Sequence, residues 1–135
     1  MNGSLIKVVI DTNILFMAAY GRSEKAAKTI QLANRNKILL FAPDIVREEL
    51  TRLLKRKMNL SGEEIAVIFE GLPITWIEKE FYQEALDKTK VKHKADKPIE
   101  ALASILDCGI LTADKHFDNN KRKIDIDDFL KQLGD

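Results

Sequence analysis

Apolar residues along this chain follow two alternating rhythms. Short aliphatic runs bounded by polar or turn-forming residues occur at 8–10 (VVI), in KILLFAP (37–43), in PITWIE (73–78) and in GILT (109–112). Such runs predict strands, and one without polar alternation, like Val8, Val9 and Ile10, predicts a strand covered on both faces. Between them, apolar residues recur at three- and four-residue intervals. Ser23 predicts the N-cap of a helix reaching about Asn36, with Ala26, Ala27, Ile30 and Ala33 on its buried face. Asp44 opens DIVREELTRLLKRK (44–57), and SGEE at 61–64 is a capping box ahead of IAVIFEGL. After the third strand come the amphipathic KEFYQEALDKTK (79–90) and the helix DKPIEALASILD (96–107), read as closed by Gly109. GILTADKHFD is a strand breaking into a loop that carries acids, KID (123–125) a short last strand, and DDFLKQL the closing helix. Strands alternating with helices predict an α/β fold with a central, mainly parallel sheet of four to five strands and right-handed crossovers.

Size and charge narrow the class without naming a function. With 135 residues and 45% hydrophobic content, the expectation is a single domain over 1–135. The net charge of +1, from 22 basic and 21 acidic residues, is not that of a strongly basic nucleic-acid binder. Positive charge is nevertheless bunched in RLLKRK (52–57), KTKVKHKADK (88–97) and NNKRK (119–123). The lone cysteine, Cys108, excludes an internal disulfide and a Cys-rich zinc site and reads as core filler. No signal-like segment and no apolar run of membrane length occurs, so a cytoplasmic protein without a membrane partner is expected.

Four acids invite a reading beyond structure through their convergence, since taken singly Glu49 also reads as a carboxylate at the edge of the apolar stripe and Asp114 as a turn former after a strand. Asp11 follows the first buried strand, at the strand end where open α/β sheets bind ligands. On the helix from Asp44, about 100° per residue places Glu49 between Ile45 and Leu53 on the apolar face and turns Glu48 away. Asp96 projects from the first turn of its helix on the side of Ile99, Leu102, Ala103 and Leu106. It is equally well placed to cap that helix, with Pro98 just inside, and Glu100 lies near the same face. Asp114 follows GILT, with Asp118 four residues on. If the first and fourth strands are neighbours, these acids converge. Carboxylates so crowded raise one another's pKa unless a cation neutralises them, and an all-oxygen set without His or Cys suits Mg²⁺ or Mn²⁺ better than zinc.

VVIDTN at the first strand, VREEL on the second main helix, DKPIEALA on the late helix and ILTADKHFD together resemble a PIN-domain ribonuclease, like the toxin subunits of VapBC toxin–antitoxin systems and their stand-alone archaeal relatives. The pieces span nearly the whole chain. The resemblance implies a three-layer αβα PIN-like fold and places the family's catalytic acids on Asp11, Glu49, Asp96 and Asp114. Thr12, Asn13 and Thr112 match its supporting polar residues, and Asp118 a more variable acid. It further implies Mg²⁺ or Mn²⁺ held by Asp11, Asp96 and Asp114, and cleavage of RNA phosphodiester bonds. On this reading Glu49 orients or deprotonates the water, or binds metal through one, and Asn13 and Thr112 hydrogen-bond the carboxylates. An antitoxin protein and a homodimer are expected partners on the same ground, the second helped by apolar residues a small core would leave over, such as Phe69, Leu72, Phe81 and Tyr82.

Two rivals remain at this level. A phosphatase of the haloacid dehalogenase type also starts with an Asp after a buried strand, but its D-x-D pattern needs an acid where this chain has Asn13. The other rival is a PIN-like scaffold that binds RNA or a protein partner without cutting. His93 and His116 are read as surface residues touching phosphate rather than as catalytic bases.

Overall fold

Val8, Val9 and Ile10 are fully buried, as a β-branched run must be when helices cover both faces of a sheet. In the computed structural model, which describes residues 5–89 and 93–134, they belong to β1 (Ile6–Ile10). This strand lies parallel between β2 (Ile38–Pro43) and β4 (Gly109–Leu111). Beyond them lie β3 (Ile74–Ile77) and β5 (Lys123–Ile124), giving the order β3-β2-β1-β4-β5 with every pair parallel. The register sets Val9 opposite both Phe41 and Ile110.

Among the described residues six α-helices connect the strands, α1 (Thr12–Tyr20), α2 (Glu24–Asn34), α3 (Asp44–Met58), α4 (Gly62–Gly71), α5 (Lys79–Leu86) and α6 (Lys97–Leu106), and α7 (Ile126–Gln132) follows β5. Their ends follow local chemistry. Ser23 Oγ accepts from the Ala26 N–H at 3.1 Å to start α2, and Ser61 with Glu64 forms the reciprocal capping box of α4. Helix α6 lies on β1, β2 and β4 and packs against α5, whereas α2 and α3 lie on β2 and α7 packs on α2. Right-handed crossovers put α5 and α6 on the face opposite α2 and α3, because strand order reverses between β3 and β4. The core between these layers includes Leu40, Leu50, Leu54, Leu102, Ile110, Phe117 and Phe129.

Three expectations need correction. TNILFMAAY forms α1, for which the apolar pattern predicts no element: apolar residues on almost every side give no amphipathic rhythm. The helix is set instead by its ends, Asp11 as N-cap and Gly21 at φ 76°, whose N–H donates to the Met17 and Ala18 carbonyls. Gly109 does not close α6; Asp107 does, at φ 50°, and Gly109 sits in β4 directly beneath Ile124. Tyr82 is no spare apolar residue, being 2% exposed with its hydroxyl donating to the Asp44 carboxylate. Phe69 packs edge-on against Trp76, leaving Phe81 as the exposed aromatic of that set. Cys108 is half-buried against the core, and burial pushes its thiol pKa up, consistent with packing rather than reactivity. Lys90, Val91 and Lys92 of the second lysine-rich run, and with Lys90 the end of the amphipathic segment 79–90, lie outside the described residues. No helix among the described residues is long and apolar enough to cross a membrane.

Candidate active site

The reversal of strand order leaves a crevice at the carboxyl ends of β1 and β4, the position at which open parallel sheets hold ligands. Asp11 directly follows β1, and its backbone N–H donates to the Leu111 carbonyl at 3.1 Å, fixing it against the end of β4. Thr112 then joins two acids. Its Oγ1 donates to Asp11 Oδ2 at 2.7 Å and accepts from the Asp114 N–H at 2.9 Å. The other Asp11 oxygen accepts from the Thr12 N–H at 2.6 Å, so the carboxylate that faces the crevice also caps α1. Asp11 is 5% exposed and its pKa is raised to about 6. Burial is the largest cause; the hydrogen bonds from Thr112 and Thr12 oppose it, and the charges of Asp114 and Asp96 add to it.

Asp96 ends a 3₁₀ turn (Lys94–Asp96) that runs into α6, and it makes no capping hydrogen bond. Its backbone is already helical at φ −87°, ψ −15°, which is not the extended conformation that turns an N-cap side chain back onto the first turn. The capping explanation for Asp96 therefore falls away. The side chain is buried, and its Oδ2 lies 3.2 Å from His116 Nδ1. Burial and the Asp114 charge push the Asp96 pKa up, while His116 works against the shift.

Helix α3 supplies Glu49, which is half-buried and lines the same cleft, together with Ile45 one turn before it. Glu48 faces a neighbouring cavity beside Asp44 and Tyr82. The cleft has a volume of about 270 Å³, and its polar lining includes Asp11, Asn13, Glu49, Asp96, Asp114 and His116. Among the described residues no Lys or Arg comes within ion-pair distance of these four acids. Buried and half-buried carboxylates that no described Lys or Arg pairs with make a donor set that a divalent cation would complete, so the residues present fit a bound Mg²⁺ or Mn²⁺.

The remaining sequence candidates divide. Thr12 and Thr112 brace Asp11, one through the main chain and one through its hydroxyl. Asn13 is exposed at the cleft and forms no side-chain hydrogen bond to a carboxylate among the described residues. Asp118 pairs with Lys123, and Glu100 accepts from Asn120 Nδ2 at 2.8 Å beside a different cavity; neither lines the cleft. His116 belongs to the cleft more closely than its sequence neighbours suggest. It sits two residues after Asp114 and its backbone N–H donates to Asp114 Oδ1 at 2.9 Å, which turns the ring back over the acids. The only hint in the sequence is the DKH spacing.

The PIN-domain family pattern matches residues 9–127, spanning all four cleft acids. A structure of VapBC2 from Rickettsia felis bound to a DNA fragment from its promoter contains a chain that superposes on this one with a TM-score of 0.58 at 16% identity, covering 88% of this chain and 96% of that one. At that identity the likeness speaks for the fold. No curated protein sequence matches. Fold, strand order and the extent of the family match lead to one conclusion: the chain belongs to the PIN-domain family.

Proposed function

We propose that this protein is a cytoplasmic, divalent-metal-dependent endoribonuclease acting as a single PIN-like domain, and the toxin of a toxin–antitoxin pair. The observation that carries the nuclease reading is the convergence of Asp11, Glu49, Asp96 and Asp114 on one cleft, with no Lys or Arg in ion-pair reach of them among the described residues. Asp11, Asp96 and Asp114 would hold Mg²⁺ or Mn²⁺. When bound, such an ion supplies Lewis acidity that makes water a better nucleophile and offsets charge on the phosphate. Glu49, on the opposite wall, accepts the proton of the attacking water at its carboxylate. Thr112 holds Asp11 and Asp114 at fixed separation, so neither has to reorganise when substrate arrives. Asn13 and Lys94 at the mouth offer an amide and an ammonium to the sugar–phosphate backbone. The likeness to a VapBC assembly supports an antitoxin as protein partner, and a homodimer would bury the exposed Phe81.

The test is cleavage of single-stranded RNA by protein freed of contaminating nuclease, with Mg²⁺ or Mn²⁺ and with excess chelator, beside Asp114→Asn. Cutting that needs the ion and is lost in the variant supports the reading. Undiminished cutting in chelator refutes it.

A further inference from the structure

His116 occupies a place that the carboxylate reading of the cleft leaves unexplained. Its Nδ1 stands 3.2 Å from Asp96 Oδ2 and 3.3 Å from Asp114 Oδ1, so one nitrogen faces two buried or half-buried acids at once. One ligand atom each from Asp96, Asp114 and His116 fits within 4.8 Å. Three features hold the ring there: the His116 N–H bond to Asp114, the burial of neighbouring Phe117 in the core, and a face-to-face stack on His93 with centroids 3.6 Å apart and planes 13° from parallel. Without an ion the same Nδ1 is within hydrogen-bond distance of Asp96, a contact that points the nitrogen, rather than a ring face, at the two carboxylates. Ligands at about 2.1 Å from one ion on adjacent octahedral positions lie about 3 Å apart, which the nitrogen-to-oxygen separations at His116 match.

We infer that His116 Nδ1 is a metal ligand beside Asp96 and Asp114, making the proposed nuclease centre a mixed nitrogen–oxygen site that takes Mn²⁺ in preference to Mg²⁺. Mg²⁺ strongly favours oxygen and parts with its water reluctantly, whereas first-row transition ions accept imidazole readily. The His93 stack fixes the ring plane and is a positioning contact. His93 itself lines the cleft. This inference rests on the proposed metal-dependent reading of the same cleft, but it concerns which atoms bind and which ion is chosen.

The deciding measurement is pulsed electron paramagnetic resonance of the whole chain loaded with Mn²⁺ alone, because a directly bound imidazole imprints a ¹⁴N coupling on the Mn²⁺ echo modulation. The comparison is His116→Phe, which keeps a ring to stack on His93 and removes the nitrogen. Since the His116 side chain is 46% exposed, the variant should fold, as checked by circular dichroism in chelator. The wild type is expected to show the coupling and the variant to lose it. Calorimetric titration should show Mn²⁺ affinity falling roughly tenfold to a hundredfold in the variant, and the preference over Mg²⁺ shrinking with it. Should the variant fold poorly, the wild-type spectrum alone decides. Mn²⁺ binding without ¹⁴N coupling, or a coupling that survives in His116→Phe, overturns His116 as ligand and leaves the carboxylate site standing. No Mn²⁺ uptake at all overturns both readings.

Discussion

Replacing Asp11 with asparagine separates a metal-poised carboxylate from a structural one, because the two differ in the sign of the stability change. The Asp11 pKa is about 6 in the folded protein against an ordinary 3.8. Below both values the carboxyl is neutral in folded and unfolded chains alike. Between them the unfolded chain ionises first, so stability falls as pH rises, and above about 6 the loss is complete. At 1.36 kcal/mol per pH unit the gap is worth about 3 kcal/mol at neutral pH. The Asp11→Asn substitution removes that penalty and leaves a side chain that still caps α1. Against this stands the Thr112 hydroxyl, which donates to Asp11 Oδ2 and would meet an amide NH₂, at a cost of about 1 kcal/mol. In chelator at pH 7.5, Asp11→Asn should therefore be more stable than wild type by about 2 kcal/mol, a rise in Tm of roughly 7 °C for a chain of this size. At pH 4 the advantage should vanish. Urea unfolding followed through Trp76, the single tryptophan, measures both. Taking the difference between variant and wild type cancels the titrating groups remote from Asp11 and leaves only its coupling to Asp96 and Asp114. With saturating Mn²⁺ the order should reverse, because an ion that binds only the folded wild type stabilises it by mass action. A variant less stable than wild type in chelator at pH 7.5 would mean that Asp11 is part of a stabilising network, and the account of the cleft as charge-frustrated would be wrong.

Other substitutions probe the remaining walls of the cleft and the sheet beneath it. Glu49→Gln should lower RNA cleavage at least about a hundredfold if this carboxylate takes the proton from water, whereas Glu48→Gln, facing the neighbouring cavity, should stay near wild type; equal losses would place the proton transfer elsewhere. Asp96→Asn in chelator should melt within about 1 kcal/mol of wild type, since no described Lys or Arg pairs with it, and should lose most of the Mn²⁺-induced rise in Tm. A loss of several kcal/mol in chelator would instead reveal a structural ion pair. Gly109→Ala would set a Cβ 2.1 Å from Ile124 Cδ1 and should cost about 1–3 kcal/mol in urea unfolding. In a double-mutant cycle with Ile124→Ala the combined loss should be smaller than the sum, and strict additivity would exclude the clash as its cause.

Local sequence determined the elements wherever a continuous apolar run, a one-sided apolar face or an end-capping pair lies within a single segment. The β-branched run before Asp11, the capping box at Ser61 and Glu64, and the Ala26–Ala33 face of α2 each carry their structure in nearest-neighbour chemistry. Helix phase, a property of one segment, was enough to turn Glu49 toward the cleft and Glu48 away from it. The alternation of strand and helix likewise carried the parallel sheet. What tertiary structure decided is everything that depends on two distant segments meeting. Only the pairing of β1 with β4 brings Asp11 and Asp114 onto one threonine, which lies 101 residues from Asp11 in the chain and 2 from Asp114. The same packing diverted Glu100 to Asn120 and Asp118 to Lys123, two acids that the sequence sets one turn after Asp96 and four residues after Asp114. It also set Gly109 in β4 beneath the Ile124 side chain, while α6 closes two residues earlier at Asp107 in the left-handed conformation. His116 is the clearest case. Beyond its spacing of two from Asp114, its neighbours do not mark it as more than a surface residue, and its place is set by two carboxylates, one held at the start of a helix 20 residues earlier and the other by the end of a strand. Burial and pairwise charge, which shift the pKa of Asp11 and Asp96, are sums over three-dimensional neighbours that no single stretch of sequence contains.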